Sequence, residues 1–196
     1  MRKIGIFGGT FDPVHIAHLI LAEQALNECS LDEVWFMPAN IPPHKKHEGM
    51  ADGKDRAHMV ELAIQHHPQF KLLRLELART GPSYTVDTIE HLLQIYPNEQ
   101  FYFIIGGDMV KSLERWHQID RLRDMVRFIV TDRPDYSLEK GEHISETMLY
   151  IHVPNCPISS SDIRSRIKKQ QSIRFLIPEE VRSYVEENHL YENDGH

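Results

Sequence analysis

Apolar positions along this chain recur with two periods. Residues 2–8 are a short apolar run rich in Ile and Phe, and residues 16–28 repeat apolar side chains at helical spacing through Ile16, Leu19, Ile20, Ala22 and Leu26. The chain therefore opens as strand, turn and helix. EVWFMP at 33–38 predicts a second strand, and the stretch after it, ANIPPHKKHEGMADGKD, carries prolines and glycines that exclude a long regular element. Loops of that length commonly carry function. A helix through DRAHMVELAIQHH, a strand through FKLLRLEL, a helix through TVDTIEHLLQIY and a buried strand through FYFIIGG continue the alternation. A Trp-bearing helical stretch, strands at RFIVTDRP and MLYIHVP, and helices at SSDIRSRIKK and PEEVRSYVEENHL complete it. Strands alternating with helices predict an α/β fold with a mainly parallel sheet. No repeat, low-complexity tract or linker divides the chain, so residues 1–196 are expected to form a single domain.

Composition narrows the function. The 196 residues are 41% hydrophobic, enough for a full core, and carry a net charge of −7. An acidic balance argues against a general nucleic-acid or membrane-surface binder, both of which favour a cationic face, so any anionic ligand must meet a local cluster of donors. Cys29 and Cys156 are too few for a disulfide framework, and the start MRKIGIFGG lacks the apolar core and cleavage site of a signal peptide. No uninterrupted apolar segment approaches the roughly 20 residues that span a bilayer. The expectation is a soluble protein of the reducing cytoplasm, with no nucleic-acid or membrane partner. Assembly into a homo-oligomer is left open.

The chemistry starts in GIFGGTFDPVHIAH, residues 5–18. In an open parallel sheet, ligands gather at the carboxyl ends of the strands, where a helix start also points its N–H groups outward. Gly8 and Gly9 fall at such an end and let the backbone approach a phosphate, while Thr10 adds a hydroxyl and an N–H. His15 and His18, one helical turn apart, share a face and can both donate to one polyphosphate. Taken in pieces, the same residues also describe a tight strand-to-helix turn with Asp12 as cap and two solvated histidines. A dinucleotide fingerprint fits less well, because G-x-G-x-x-G is not what stands here.

GGTFDPVHIAH resembles the GxFDPxHxGH signature of the nucleotidyltransferases related to the class I aminoacyl-tRNA synthetases. That resemblance implies a Rossmann-like, doubly wound fold with helices on both faces of the sheet. Ala17 stands where the signature has Gly; it adds a methyl group near the place of the nucleotide base and removes no hydrogen-bonding group, so a tuned site is expected. ISSSDIR, residues 158–164, is similar to the family's second, ISS-x-x-x-R type motif. Physically it is a helix start with three successive hydroxyls and Arg164 one turn inside, suited to the β- and γ-phosphates of ATP or, read alone, an ordinary serine cap.

Three middle segments, IPPHK at 41–45, GPSYTVDT at 81–88 and GGDMVKSLERW at 106–116, together resemble bacterial nicotinate mononucleotide adenylyltransferases over nearly the entire chain. The resemblance implies an ATP site from Gly8, Gly9, Thr10, Phe11, His15, His18, Gly106, Asp108, Ile158, Ser159, Ser160, Ser161 and Arg164. It implies a mononucleotide site from Lys45, Tyr84, Thr85, Trp116 and His117. Arg133, after the strand RFIVTD, is a cation able to reach the polyphosphate or equally a surface arginine before Pro134, and is placed with the mononucleotide set. A threonine at a helix start can present donors to a pyridine carboxylate, an indole can stack on the flat ring, and an Asp past a buried strand can accept from ribose hydroxyls. His44 and His47 flank Lys45 and Lys46 without the Cys or carboxylate company of a zinc site, and the helix PEEVRSYVEENHL reads as structural.

The implied reaction is attack of the mononucleotide 5′-phosphate on the α-phosphorus of ATP, yielding nicotinate adenine dinucleotide and pyrophosphate. Its catalytic residues would be His15, His18, Thr10 and Lys45. Mg²⁺ would be bound through substrate phosphates, with no protein cage of its own. Two alternatives remain: another adenylyltransferase of the superfamily, and a nucleotide-binding regulator without turnover.

Overall fold

The computed structural model describes residues 1–40, 49–79, 84–132 and 148–192. Its element order is β1 (Lys3–Gly9), α1 (Ile16–Glu28), β2 (Glu33–Pro38), α2 (Gly53–Ile64), β3 (Phe70–Leu72), a 3₁₀ turn (Glu76–Ala78), α3 (Thr85–Ile95), β4 (Gln100–Ile105), α4 (Gly107–Leu113), α5 (Ile119–Met125), β5 (Arg127–Asp132), β6 (Met148–His152), α6 (Ser160–Lys168) and α7 (Glu179–Glu187). The strands form one six-stranded sheet in the order β3-β2-β1-β4-β5-β6. Every described pairing is parallel.

Residue period two sorts the strand side chains onto two cores. Phe7, Val34, Phe36, Ile104 and Ile129 pack on one face with α1, α2, α6 and α7. Ile4, Ile6, Trp35, Met37, Phe103, Ile105 and Phe128 pack on the other with α3 and α5. Strands buried on both faces read as continuous apolar runs, as FYFII does. The doubly wound arrangement with helices on both faces is thus realised. Among the described residues no helix is long and apolar enough to cross a membrane.

The order of strands places the site. The chain leaves β1 towards β2 and β3 on one side, then returns to β4 on the other, so connections diverge above the carboxyl ends of β1 and β4, where open α/β sheets bind ligands. Gly8 and Gly9 end β1 beside Met37 and Pro38, and Gly106 follows β4.

Two predicted elements differ. FKLLRLEL is a strand only over Phe70–Leu72; Leu73 still donates to the Phe36 carbonyl at 2.8 Å, after which the segment closes into the 3₁₀ turn and Glu76 turns inward. The Trp-bearing stretch is two short helices broken around Trp116, with Gln118 in the left-handed region at φ 52°.

Candidate active site

The turn after β1 folds back on itself. Phe11 adopts φ 50° and is buried, its ring set edge-on to Phe7 at 5.4 Å and to His18 at 5.0 Å. A Cβ on Gly9 would lie 2.9 Å from the Phe11 ring, so this approach requires glycine. His15 is the N-cap of α1 and His18 its third residue. Their rings stack at 3.6 Å, and the His15 amide donates to Nδ1 of His18 at 3.2 Å. An imidazole nitrogen that accepts carries no proton, so Nε2 of His18 is the N–H donor. His15 is 6% exposed, its buried Nδ1 has no hydrogen-bond partner among the described residues, and burial lowers its pKa to about 4. Burial thus keeps the His15 ring neutral at neutral pH, and both imidazoles stand together at one helix start.

Asp12, an expected cap in the plainer reading, does something else. It is 3% exposed; Oδ1 accepts from the Ala51 amide at 3.0 Å and from the Tyr191 hydroxyl at 2.6 Å, and Oδ2 lies 3.7 Å from the Arg164 guanidinium. Arg164 also donates to the Asp12 carbonyl at 2.7 Å, and the Ser160 hydroxyl donates to the Pro13 carbonyl at 2.9 Å. Ser159 caps α6 by accepting from the Asp162 amide at 3.1 Å, and Ser161 accepts from Arg164 at 3.4 Å. The segment at 158–164, with Ile158 half-buried against the core, is thus docked directly on the turn at 10–15.

Arg56 was not among the expected site residues. It is 1% exposed and donates to three backbone carbonyls: Thr10 at 2.7 Å, Ala51 at 3.1 Å and Asn40 at 3.4 Å. Burial lowers its pKa, and the nearby Asp12 opposes that shift. Its helical phase with Met59, Val60 and Ile64, all buried, was the one sequence signal for its inward position. Tyr191, which follows the terminal helix, gave no signal of its own.

On the β4 side, Gly106 is the N-cap of α4, and the Gly107 amide donates to Thr131 Oγ1 at 3.1 Å, tying that helix start to β5. Asp108 is the next backbone position in α4. Phe103 connects the two halves: its ring tip would lie 3.0 Å from a Cβ on Gly8, and it stands edge-on to Trp116 at 5.7 Å and 87°. Trp116 is half-buried between the short helices. Tyr84 is the N-cap of α3 and Thr85 its first residue, and the Tyr84 ring packs on His117 at 4.4 Å. Thr88 donates to buried Glu76 at 3.0 Å and anchors that helix start. The structure thus pairs Tyr84 with His117 and places Trp116 on the wall shared with Gly8. Lys45, His44, His47, Arg133 and residues 81–83 lie outside the described residues.

Comparisons with known proteins agree with this arrangement. The cytidylyltransferase-like family model matches residues 6–166. A Geobacillus kaustophilus protein named probable nicotinate-nucleotide adenylyltransferase is 49% identical over 191 residues, covering 97% of this chain and 87% of the relative. The Bacillus subtilis nicotinate-nucleotide adenylyltransferase is 48% identical over 193 residues, covering 98% of this chain and all of the relative (100%). The fold is also that of a Plasmodium falciparum nicotinic acid mononucleotide adenylyltransferase solved in complex with NaAD, with a TM-score of 0.79, 23% identity, and coverage of 97% and 98% of the two chains.

Proposed function

The chain belongs to the cytidylyltransferase-like family, and from its 48% and 49% identity to nicotinate-nucleotide adenylyltransferases we infer that it is a nucleotidyltransferase that moves the adenylyl group of ATP onto nicotinate mononucleotide, giving nicotinate adenine dinucleotide and pyrophosphate in NAD biosynthesis. One observation carries the reading to these residues. The two motifs, far apart in sequence, meet in space through Ser160 on Pro13 and Arg164 on Asp12, above the strand crossover where such sheets hold nucleotides.

The nucleophile is a phosphate oxygen already anionic at neutral pH, so the protein needs no strong base. Its task is to align donor and acceptor and to stabilise charge on the transferring oxygens. Stacked His15 and His18 present imidazole N–H groups to the α-phosphate, with Thr10 beside them. Gly8 and Gly9, against which the Phe103 and Phe11 rings close, offer their backbone at the end of β1 to the triphosphate, and the α6 start with Ser159, Ser161 and Arg164 is given its far end. Gly106 and Asp108 take the adenosine side. Tyr84, Thr85, Trp116 and His117 take the nicotinate ring. Lys45 is assigned to the mononucleotide phosphate by the resemblance alone, and Arg133 to a substrate phosphate by its place after the strand RFIVTD alone.

The donors described at the turn, imidazole and hydroxyl groups, suit an anion rather than a bare cation. Mg²⁺ would enter on the triphosphate and supply neutralisation of the leaving pyrophosphate. In this reading the protein works in the cytoplasm.

The test is pyrophosphate release from magnesium and ATP with nicotinate mononucleotide, nicotinamide mononucleotide or phosphopantetheine as acceptor. Turnover with the nicotinate acceptor, and preference for it, is expected. Preference for phosphopantetheine would move the chain to another adenylyltransferase class. ATP binding with no release for any acceptor would make it a regulator.

A further inference from the structure

Two buried side chains grip the polyphosphate turn from behind, one through the Thr10 carbonyl and one through the Asp12 carboxylate, and neither is itself assigned to substrate. Arg56 spends its guanidinium on the carbonyls of Thr10, Ala51 and Asn40. Across the trans Thr10–Phe11 peptide the carbonyl and the next N–H are antiparallel, so drawing the Thr10 oxygen inward turns the Phe11 amide the other way. Tyr191 puts its hydroxyl 2.6 Å from Asp12 Oδ1, the oxygen that also takes the Ala51 amide. Asp12 thereby joins the turn to Ala51, next to the Asp52 cap of α2, and its backbone carbonyl holds Arg164 of the second motif.

Resting on the adenylyl-transfer reading, we propose that Arg56 and Tyr191 are positioning residues for ATP: they set the Thr10–Asp12 backbone and the docking of Arg164, and hence the place at which the triphosphate is held. A buried network whose members are all satisfied specifies one geometry, and an anion site built from peptide groups depends on that geometry. The segment past α7 is thus a working part of the site.

The fold supplies a control for a purely structural role. Tyr184, on α7, donates its hydroxyl to Asp55 of α2 at 2.8 Å, a bond of the same kind between the C-terminal segment and α2 that does not touch the turn. Tyr191→Phe, Tyr184→Phe and Arg56→Lys would be compared with the unaltered chain for thermal midpoint, for Kd of a non-hydrolysable ATP analogue by calorimetry, and for KM of each substrate.

The expected result is that Tyr191→Phe raises the analogue Kd and the KM for ATP about tenfold, the scale of one hydrogen bond to a charged group. KM for nicotinate mononucleotide should stay within about twofold, and Tyr184→Phe should move neither constant even where it lowers the midpoint as much. Arg56→Lys keeps the charge but loses the three-way fork and should weaken ATP at least as far. Combined with Tyr191→Phe it should fall short of the product of the single effects, because both act on one turn. Loss of midpoint alone in Tyr191→Phe, with both ATP constants matching Tyr184→Phe, would overturn the proposal and leave the transfer reading intact. If the unaltered chain neither binds the analogue nor turns over, the transfer reading itself falls.

Discussion

His15 and His18 lie face to face, ring centroids 3.6 Å apart and planes inclined by 22°, with the His15 amide donating to the inner nitrogen of His18. Two imidazoles so close disfavour double protonation in the free protein. Burial holds the His15 member of the pair in its neutral form.

The proposed reading gives the outer N–H of His18 to the transferring phosphate. His18→Ala should cut turnover by roughly 10² or more, the scale seen when one transition-state donor is lost. His18→Asn, which retains a side-chain N–H, should recover part of it. Steady-state kinetics with both substrates saturating would test this, and full activity in the alanine variant would remove His18 from the mechanism.

The buried state of His15 has a consequence for stability. Its pKa falls from the ordinary 6.5 to about 4 through desolvation. Above pH 6.5 the ring is neutral in both folded and unfolded chains, and it contributes no pH dependence. As pH falls below 6.5 the unfolded chain takes up a proton that the folded chain refuses until about 4, so stability is lost across that window. The loss amounts to something on the order of 3 kcal/mol by its lower end. Urea denaturation from pH 7 to 4.5 should show a shallower acid slope for His15→Asn than for the unaltered chain. Equal slopes would argue that the ring is not held neutral.

Trp116 stands edge-on to Phe103, and the proposed reading sets its indole against the flat nicotinate ring. Trp116→Ala should raise KM for nicotinate mononucleotide about tenfold while KM for ATP changes little, and Trp116→Phe should lie between the two. Unchanged mononucleotide affinity in a titration would remove the stacking role.

Much of this architecture was legible beforehand because it is periodic. Strands buried on both faces show as apolar runs, and α1 and β2 begin and end where their patterns do. The motif at 8–18 could be read because its residue types carry their chemistry locally. What escaped is what depends on distant partners. Arg56 looks like a solvated helix charge until the carbonyls of Thr10, Asn40 and Ala51 are brought around it. Tyr191 is an ordinary tyrosine past α7 until it meets Asp12, 179 positions away. FKLLRLEL looked like one strand because apolar content alone cannot mark where pairing stops. Leu73 is the last residue to reach β2 before the chain turns.

The β4 side allows a sharper structural test. Gly107 donates its amide to Thr131 Oγ1 at 3.1 Å, and a Cβ there would sit 2.6 Å from the Thr131 carbonyl oxygen. That oxygen belongs to the backbone of β5, held in the sheet opposite Ile151, so it cannot give way as a side chain would. Gly107→Ala must therefore push α4 off the sheet, at a cost of about 1–3 kcal/mol by analogy with overpacked cores. Because Asp108 follows directly, the shift should also weaken ATP, and the mononucleotide less so. Thr131→Val separates the two effects: it removes the hydroxyl partner without crowding, so it should cost comparable stability through the unsatisfied amide yet displace the helix less. If ATP affinity drops in the alanine variant and holds in the valine variant, the close approach of α4 to β5, rather than the hydrogen bond, sets the adenosine side.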